Sequence, residues 1–479
     1  MRLKDLYYGE MHMVKKVEGG ILAAKGYSVA SKRVGIKPTG KNRDLTLIKS
    51  DVPATVAGTF TRNVVKAAPV QWDMKVVEGG KASAIVINTG IANAATGKAG
   101  LGDCQREAEK VAECLDVEMT QVLTMSTGVI GPQIPIDKIE EGIRDLSKNM
   151  ISVPSTNTAV LRDYYTGNKA NAYMEASEAA KAIMTTDTVP KEIAVEFEMG
   201  GKVCHIGAMC KGSGMIHPNM GTMLGFVLSD INIEQKLAQS VMRAIVERTF
   251  NMVSVDGDTS TNDTLVWLAN GLAGNSVLTA ASLGIDVSDI DETGTKDIRD
   301  FAEELEKKAR EDASDFAKAE YAKDFKELIE ALYTVFEHLA INMARDGEGA
   351  SRLFIAKVVG APDYETAKTL AKSIITSSLS KAAIYGRDAN CGRIFCAMGY
   401  SGAKFDPEKT DITMMSSEGS IKLIEQGRMP KFSEEEALRI LSPDEITALC
   451  DIHDGTFEAT AWGCDLTHEY VTINADYRS

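Results

Sequence analysis

No stretch of this 479-residue chain approaches the roughly 18 consecutive apolar residues that would span a bilayer. The N-terminal MRLKDLYYGEMHMVKK carries charge where a secretory signal needs its apolar region. Eight cysteines are present and none forms a CxxC pair. Cys204 and Cys210 lie six apart and Cys391 and Cys396 five apart, which argues against structural zinc. The six histidines (His12, His205, His217, His338, His453, His468) form neither HExxH nor an i, i+4 pair, so a hydrogen-bonded structural role is the default for each. Neither a GxGxxG after a strand nor a GxxxxGK[ST] loop occurs, so the usual nucleotide cradles are missing. Positive charge is also short: 53 basic against 68 acidic residues give −15, which removes the attraction behind nucleic-acid and anionic-membrane binding. A cytoplasmic protein with no nucleic-acid and no membrane partner is the expectation.

What is present is the balance of a globular protein, 44% hydrophobic and 25% charged, at a length suited to two to four domains. The pattern is mixed α/β. Residues 82–88 and 194–203 (AVEFEMGGKV) read as short strands, and 101–115 as an amphipathic helix. Helical period recurs over 232–250 and 364–377, the latter followed by a strand-like turn region. Residues 281–330 hold 16 acidic and 8 basic side chains with apolar residues every three to four, which reads as one or two solvated surface helices in an insertion.

Four clusters carry candidate chemistry. In Lys211–Leu228, glycine, proline and asparagine precede an apolar run, the composition of a loop feeding a buried strand. Gly221-Thr222 within it could be a self-cleaving bond, because glycine permits strained backbone and threonine places a hydroxyl beside the carbonyl it must attack. The dipeptide alone does not decide, since Gly-Thr recurs at Gly58-Thr59, Gly294-Thr295 and Gly455-Thr456. Residues 123–131 (LTMSTGVIG) offer a hydroxyl and free N–H groups to an oxyanion, or a simple turn. Residues 253–264 (VSVDGDTSTNDT) resemble a cation loop without EF-hand spacing, so a hydrogen-bonded turn is preferred. Residues 345–350 (RDGEGA) set a carboxylate between glycines, where a ligand can approach closely.

Taken in order, GGILAAKGY, SDVPATVAGTFTRNVVKAAPV, INTGIANAATG, STGVIG, IMTTDT, KGSGMIHPNMGTML, VDGDTSTNDT, RDGEGASRLF and INADYRS resemble the ornithine acetyltransferase (glutamate N-acetyltransferase) family of arginine biosynthesis over nearly the whole chain. The resemblance implies an N-terminal-nucleophile enzyme with layered sheets and helices of the aminopeptidase/ornithine acetyltransferase type. Its precursor would cut itself before Thr222 into an α chain, 1–221, and a β chain, 222–479, interlocked and assembled as α2β2. It implies ping-pong transfer of acetyl from N-acetylornithine through Thr222 to glutamate, with acetyl-CoA as a second donor left open. Thr127 and Gly128 match the oxyanion-hole pair; Thr185, Lys211, Thr222, Glu348, Asn474 and Ser479 match substrate-binding positions. By their chemistry, Glu348 suits an ammonium, and Lys211 with the hydroxyls of Thr185 and Ser479 suits an α-carboxylate. No cofactor is implied, since acyl transfer through threonine needs neither metal nor nucleotide.

Departures from the pattern are Ile91 and Ala95, where asparagine and cysteine are usual, and Cys391, where tryptophan is usual. Loss of that aromatic is expected to reshape a pocket near the site. Residues 148–171 and 281–330 read as insertions. Two other readings remain: a self-cleaving N-terminal-threonine amidohydrolase or acyltransferase on a different N-acyl amine, and an uncleaved binding protein that uses the acidic helical segment. Division at Gly221-Thr222 would give an α chain with 27 basic and 24 acidic residues, +3, and a β chain with 26 and 44, −18.

Overall fold

The computed structural model describes residues 14–37, 42–152, 162–217, 223–311 and 315–476. Among them, ten strands form one sheet: β1 (Lys15–Lys16), β2 (Tyr27–Lys32), β3 (Leu45–Phe60), β4 (Lys81–Ile91), β5 (Val122–Val129), β6 (Ile151–Ser152), β7 (Lys191–Met199), β8 (Lys202–Lys211), β9 (Leu224–Ser229) and β11 (Thr264–Ala269). Their order is β1-β7-β8-β9-β11-β3-β2-β6, with β4 also on β3 and β5 on β4. A six-stranded sheet contains β10 (Val253–Ser254), β12 (Leu353–Ala361), β13 (Asp411–Ser416), β14 (Gly419–Ile424), β15 (Glu445–Asp451) and β16 (Phe457–Cys464), in the order β10-β16-β12-β15-β13-β14.

Strands β9 and β11 show why the first sheet lies between layers. Leu224, Phe226, Leu228, Val266 and Leu268 join one core cluster, while their alternating neighbours Val227, Leu265 and Trp267 join another. Successive side chains point to opposite faces, so burial on both sides demands the unbroken apolar runs LGFVLS and TLVWLA. Trp267 is buried, and its indole N–H is satisfied by Ser229 Oγ at 2.9 Å. Burial of each such large side chain stabilises by about 1.5–3 kcal/mol.

Helices α1 (Ala68–Glu78) and α2 (Gly97–Leu115) pack on β5 and β4, and α3 (Ile136–Ser147) packs on α2, β3 and β2. The apolar stripe of α2 is Cys104, Ala108, Val111 and Leu115, one helical face, and the helix stops at Asp116, which takes a left-handed φ of 54°. Helix α4 (Arg162–Ala182) packs on β2, and its Ala172, Ala176 and Ala179 join the core cluster that holds Val76 and Val77 of α1, whereas α5 (Gln235–Arg248), a short turn α6 (Ala280–Leu283), α7 (Ile298–Glu311) and α8 (Phe316–Arg345) join the cluster of Val227, Leu265 and Trp267. Around the second sheet are α9 (Tyr364–Thr376), α10 (Ser378–Gly386), α11 (Cys391–Gly399), α12 (Glu434–Ile440) and α13 (His468–Ala475).

Three expectations are corrected. Residues 194–203 are no single strand: β7 and β8 form a hairpin whose turn residues Gly200 and Gly201 have φ of 58° and 66°. Two successive positive φ values fit the tight turn that matches strand twist, and glycine adopts them freely. The region after 364–377 is helical, because Ser377 accepts the N–H of Ser380 and starts α10 where α9 ends. The acidic segment is also more than a surface insertion. Its outer face carries ion pairs such as Lys296–Glu304 at 3.1 Å, yet Phe325, Leu328 and Ile329 of α8 are fully buried in the main core. A charged face and an apolar face on one helix give the same composition whether it rests on the protein or inside it.

One buried acidic cluster supplies a test. Asp73 on α1 and Glu107 on α2 lie in the interior near Asp103 and Cys104. Asp73 Oδ1 accepts the Thr124 N–H at 2.7 Å, whereas Asp73 Oδ2 and Glu107 Oε2 have no partner among the described residues. Burial, then the nearby Asp103, pushes the Glu107 carboxyl up to about 8. Because that value lies above the unfolded 4.5, the contribution to stability is complete below 4.5 and is lost as pH rises through about 8. Glu107→Gln is therefore expected to remove on the order of a few kcal/mol of alkaline destabilisation, read as the difference in urea unfolding free energy from wild type at pH about 5 and about 8.5.

Candidate active site

The candidate site forms where β4 and β5 end side by side. They run parallel, pairing Thr89 with Thr127 and Gly90 with Gly128. Residues 126–128 are therefore the end of a strand rather than the simple turn that their composition allowed. Gly128 has φ of 130°, and a Cβ there would lie 2.2 Å from the Gly90 carbonyl carbon. Gly128→Ala is expected to push the two strand ends apart and cost at least about 2 kcal/mol, measured by thermal unfolding.

Asn262, just before β11, clamps both strand ends: its Nδ2 donates to the Ala92 carbonyl at 2.6 Å and the Ser126 carbonyl at 2.8 Å. Ser126 Oγ in turn donates to Asn88 Oδ1 at 2.5 Å. Lys211, the last residue of β8, is buried and donates from Nζ to Thr127 Oγ1 at 3.3 Å. The donation fills an acceptor position on that hydroxyl and leaves its proton free to point elsewhere.

Beneath these residues is a charge network. Asp187 accepts from the Lys191 ammonium at 2.7 Å, the Gly212 N–H at 2.8 Å and the Thr185 N–H at 3.0 Å. Lys191 also donates to Asp346 at 2.5 Å, and Asp346 accepts the Thr188 N–H at 3.1 Å and its hydroxyl. Burial alone would raise the Asp187 carboxyl, but the ammonium groups of Lys211 and Lys191 and the hydrogen bonds outweigh it and hold it at about 2. Burial would lower Lys191, and the two carboxylates raise it instead. Lys37 is lowered, chiefly by burial, with Lys211 adding like-charge repulsion against the pull of Asp44 and Asp187.

Glu348 enters from the chain leaving α8. Its N–H donates to the Ser213 carbonyl at 2.9 Å, and Asn474 of α13 donates from Nδ2 to Glu348 Oε2 at 2.7 Å. Gly214 permits this approach, since a Cβ there would lie 2.2 Å from the carboxylate. The DGDTS segment is a hydrogen-bonded turn: Asp256 accepts the N–H groups of Met215, Ile216 and Asp258.

Thr127, Gly128, Thr185, Lys211, Glu348 and Asn474 thus line one cleft of about 260 Å³, together with Ser260, Thr261 and Asn262. It presents one ammonium, one carboxylate and several hydroxyls. Gly221, Thr222 and Ser479 lie outside the described residues. Ile91, Ala95 and Cys391 are not among the lining residues; Cys391 starts α11 and packs in the core with Ile384 and Ile394, so the expected reshaping of the pocket is not seen at that position. Sequence reading missed Asp187, Lys191 and Asp346; Asp187 and Asp346 lie in TTDT and RDGEG and Lys191 in neither, and nothing local pairs residues 155 apart.

The ArgJ family profile matches residues 28–479. The chain belongs to the ArgJ family. The arginine biosynthesis bifunctional protein ArgJ of Symbiobacterium thermophilum is 39% identical over 462 residues, which are 96% of this chain and 99% of that one. ArgJ 1 of Clostridium acetobutylicum, also named an arginine biosynthesis bifunctional protein, is 41% identical over 455 residues, 95% and 96% of the two chains. Among solved structures, the Mycobacterium tuberculosis ornithine acetyltransferase complexed with ornithine is 34% identical across 43% of this chain and 98% of that one, with a TM-score of 0.36. The mixed α/β architecture agrees with the expected fold class, and no helix among the described residues of this ArgJ-family chain is long and apolar enough to cross a membrane.

Proposed function

We propose that this chain is a glutamate N-acetyltransferase of arginine biosynthesis that carries acetyl on Thr222, taking it from N-acetylornithine, and also from acetyl-CoA, and passing it to glutamate. The observation that carries the reading is the convergence of an ammonium, a carboxylate clamped by an amide, and a glycine-terminated parallel strand pair on one cleft. The segment bearing Thr222 joins His217 to Met223, and Met223 leads directly into β9.

The chemistry begins with the precursor. Thr222 Oγ attacks the Gly221 carbonyl, the peptide C–N bond breaks to give an ester and a free α-amine, and water hydrolyses the ester. The new α-amine titrates at about 7.7–8.0, against about 10.4 for lysine, so a usable fraction is neutral and accepts the hydroxyl proton. In acetyl transfer, that hydroxyl adds to the acetyl carbonyl and the oxyanion is met by the Thr127 hydroxyl and the Gly128 N–H. Ornithine leaves with the proton, and the glutamate amine then attacks acetyl-threonine by the reverse sequence. Lys211 acts through Thr127 by occupying its acceptor side, and offers its charge to a substrate carboxylate. Glu348, held by Asn474, suits the substrate ammonium.

A cut at Gly221-Thr222 would leave the pieces joined, because β8 is hydrogen-bonded to β9 and β3 to β11, each pair crossing between the two pieces. The reading is tested by supplying N-acetylornithine or acetyl-CoA with and without glutamate. N-acetylglutamate is the expected product from either donor; acetate release without transfer would make the enzyme an amidohydrolase. Lys211→Met is expected to lower kcat/KM for transfer by about 10²–10³-fold, the scale of losing one oxyanion donor.

A further inference from the structure

A second, larger cleft of about 690 Å³ shares no residue with the first. Its walls come from Arg248 at the end of α5, Tyr333 and Glu337 of α8, Lys357 of β12, Tyr364 at the start of α9, and Trp462 of β16. The Arg248 guanidinium sits 4.0 Å over the Tyr364 ring, and that of Arg299 3.8 Å over Tyr333.

The cations of this cleft are already matched. Arg299 pairs with Asp297 at 2.8 Å and Arg248 with Asp297 at 3.3 Å, Lys357 with Glu458 at 3.1 Å, and Lys296 with Glu304 at 3.1 Å. Two groups are left over. Glu337 has no hydrogen-bond or ion-pair partner among the described residues, and the Trp462 indole N–H, on a side chain only 3% exposed, has none either. Burial pushes the Glu337 carboxyl up to about 7 against the pull of Arg299, which acts on it across the cleft without forming an ion pair. A buried donor without an acceptor costs about 1–3 kcal/mol, so the cleft retains one unmet carboxylate and one unmet donor that a ligand can satisfy together.

Both walls lead to the first cleft. Helix α8 runs from Glu337 to Arg345, and three residues later the chain reaches Glu348; β16 runs from Trp462 to Cys464, and the chain continues through Asp465 to α13 and Asn474. Asp465 ties the two routes by accepting the N–H groups of Ser351 and Arg352 at 2.8 and 3.0 Å. They meet in the 2.7 Å hydrogen bond between Asn474 and Glu348.

We propose that this outer cleft is a second small-molecule site, selective for a compact amino-carboxylate zwitterion whose ammonium pairs with Glu337 and whose carboxylate accepts from the Trp462 indole, and that its occupancy is felt at the Glu348–Asn474 pair. Isothermal titration with 4-aminobutanoate, with butylamine and butanoate as half-ligands, tests it on the full chain. Saturable binding of 4-aminobutanoate is expected in wild type and in Glu348→Gln, tighter than either half-ligand. Glu337→Gln, which is isosteric, and Trp462→Phe should each weaken it about tenfold or more.

No saturable heat at millimolar concentration, binding that survives both outer-cleft variants, equal binding of a half-ligand, or binding lost in Glu348→Gln would overturn the site. For the coupling, saturating 4-aminobutanoate should shift the KM of acetyl transfer in wild type and not in Glu337→Gln, whose basal transfer stays intact; an unmoved KM overturns it. Only this kinetic arm rests on the acetyltransferase reading. A wild-type protein without transfer activity would strike that reading and leave the binding result standing.

Discussion

Thr222→Ala is expected to run as one chain of 479 residues under denaturing mass spectrometry, whereas wild type yields fragments of 221 and 258 residues with Thr222 at a new N-terminus. Transfer activity should fall by on the order of 10⁴-fold or more, because the substitution removes nucleophile and base in one step: without the hydroxyl there is no cleavage, and without cleavage there is no α-amine. The variant should keep its fold. The strands on either side of the bond, β8 and β9, pair through Ile206–Lys211 and Leu224–Ser229 whether or not the bond is intact. A cleaved or acetyl-transferring Thr222→Ala protein would refute the nucleophile assignment, and an intact wild-type chain would favour the uncleaved binding protein.

Lys191→Met is expected to cost about 3–5 kcal/mol, the scale for leaving a buried charge without its partner. The Lys191 and Asp187 side chains are both 0% exposed, and Asp346 is 6% exposed, so water cannot replace the ammonium that holds the two carboxylates together. Exchanging all three for neutral near-isosteres (Lys191→Met, Asp187→Asn, Asp346→Asn) should recover part of the loss, since no uncompensated carboxylate then remains. The pH dependence carries a definite sign. The Asp187 carboxyl is depressed from 3.8 to about 2, so its contribution is complete above 3.8 and is lost as pH falls through about 2. Without Lys191 the buried Asp187 takes up a proton at higher pH than in wild type, so the stability gap between wild type and Lys191→Met, measured by denaturant unfolding, should narrow as pH falls toward about 2. A gap that stays constant or widens as pH falls would remove Asp187 from this role.

These outcomes bear on what could be read in advance. The apolar runs of β9 and β11 and the stripe of α2 are local patterns with a period, and they correspond directly to buried faces. The hairpin at Gly200-Gly201 was missed although its signal was local, because alternation continues through the turn and hides the reversal. The start of helix α8, within 281–330, reads as surface because charge dominates that segment, while the helix's position in the core depends on β7 and β8, more than a hundred residues earlier, which it packs against.

By itself, the sequence determined the family, since motifs of this length in this order leave little freedom, and it named Thr127, Gly128, Thr185, Lys211, Glu348 and Asn474 without showing that they meet. It also determined the excess of acid and where that acid lies. Only the tertiary structure decided that Thr127, Lys211, Glu348 and Asn474 share one cleft, that Lys191 joins Asp187 to Asp346, and that Glu337 and Trp462 stand without partners in another. The physical reason is range: propensity and periodicity act over a few residues, whereas burial and charge pairing depend on which distant segments the sheet order brings together.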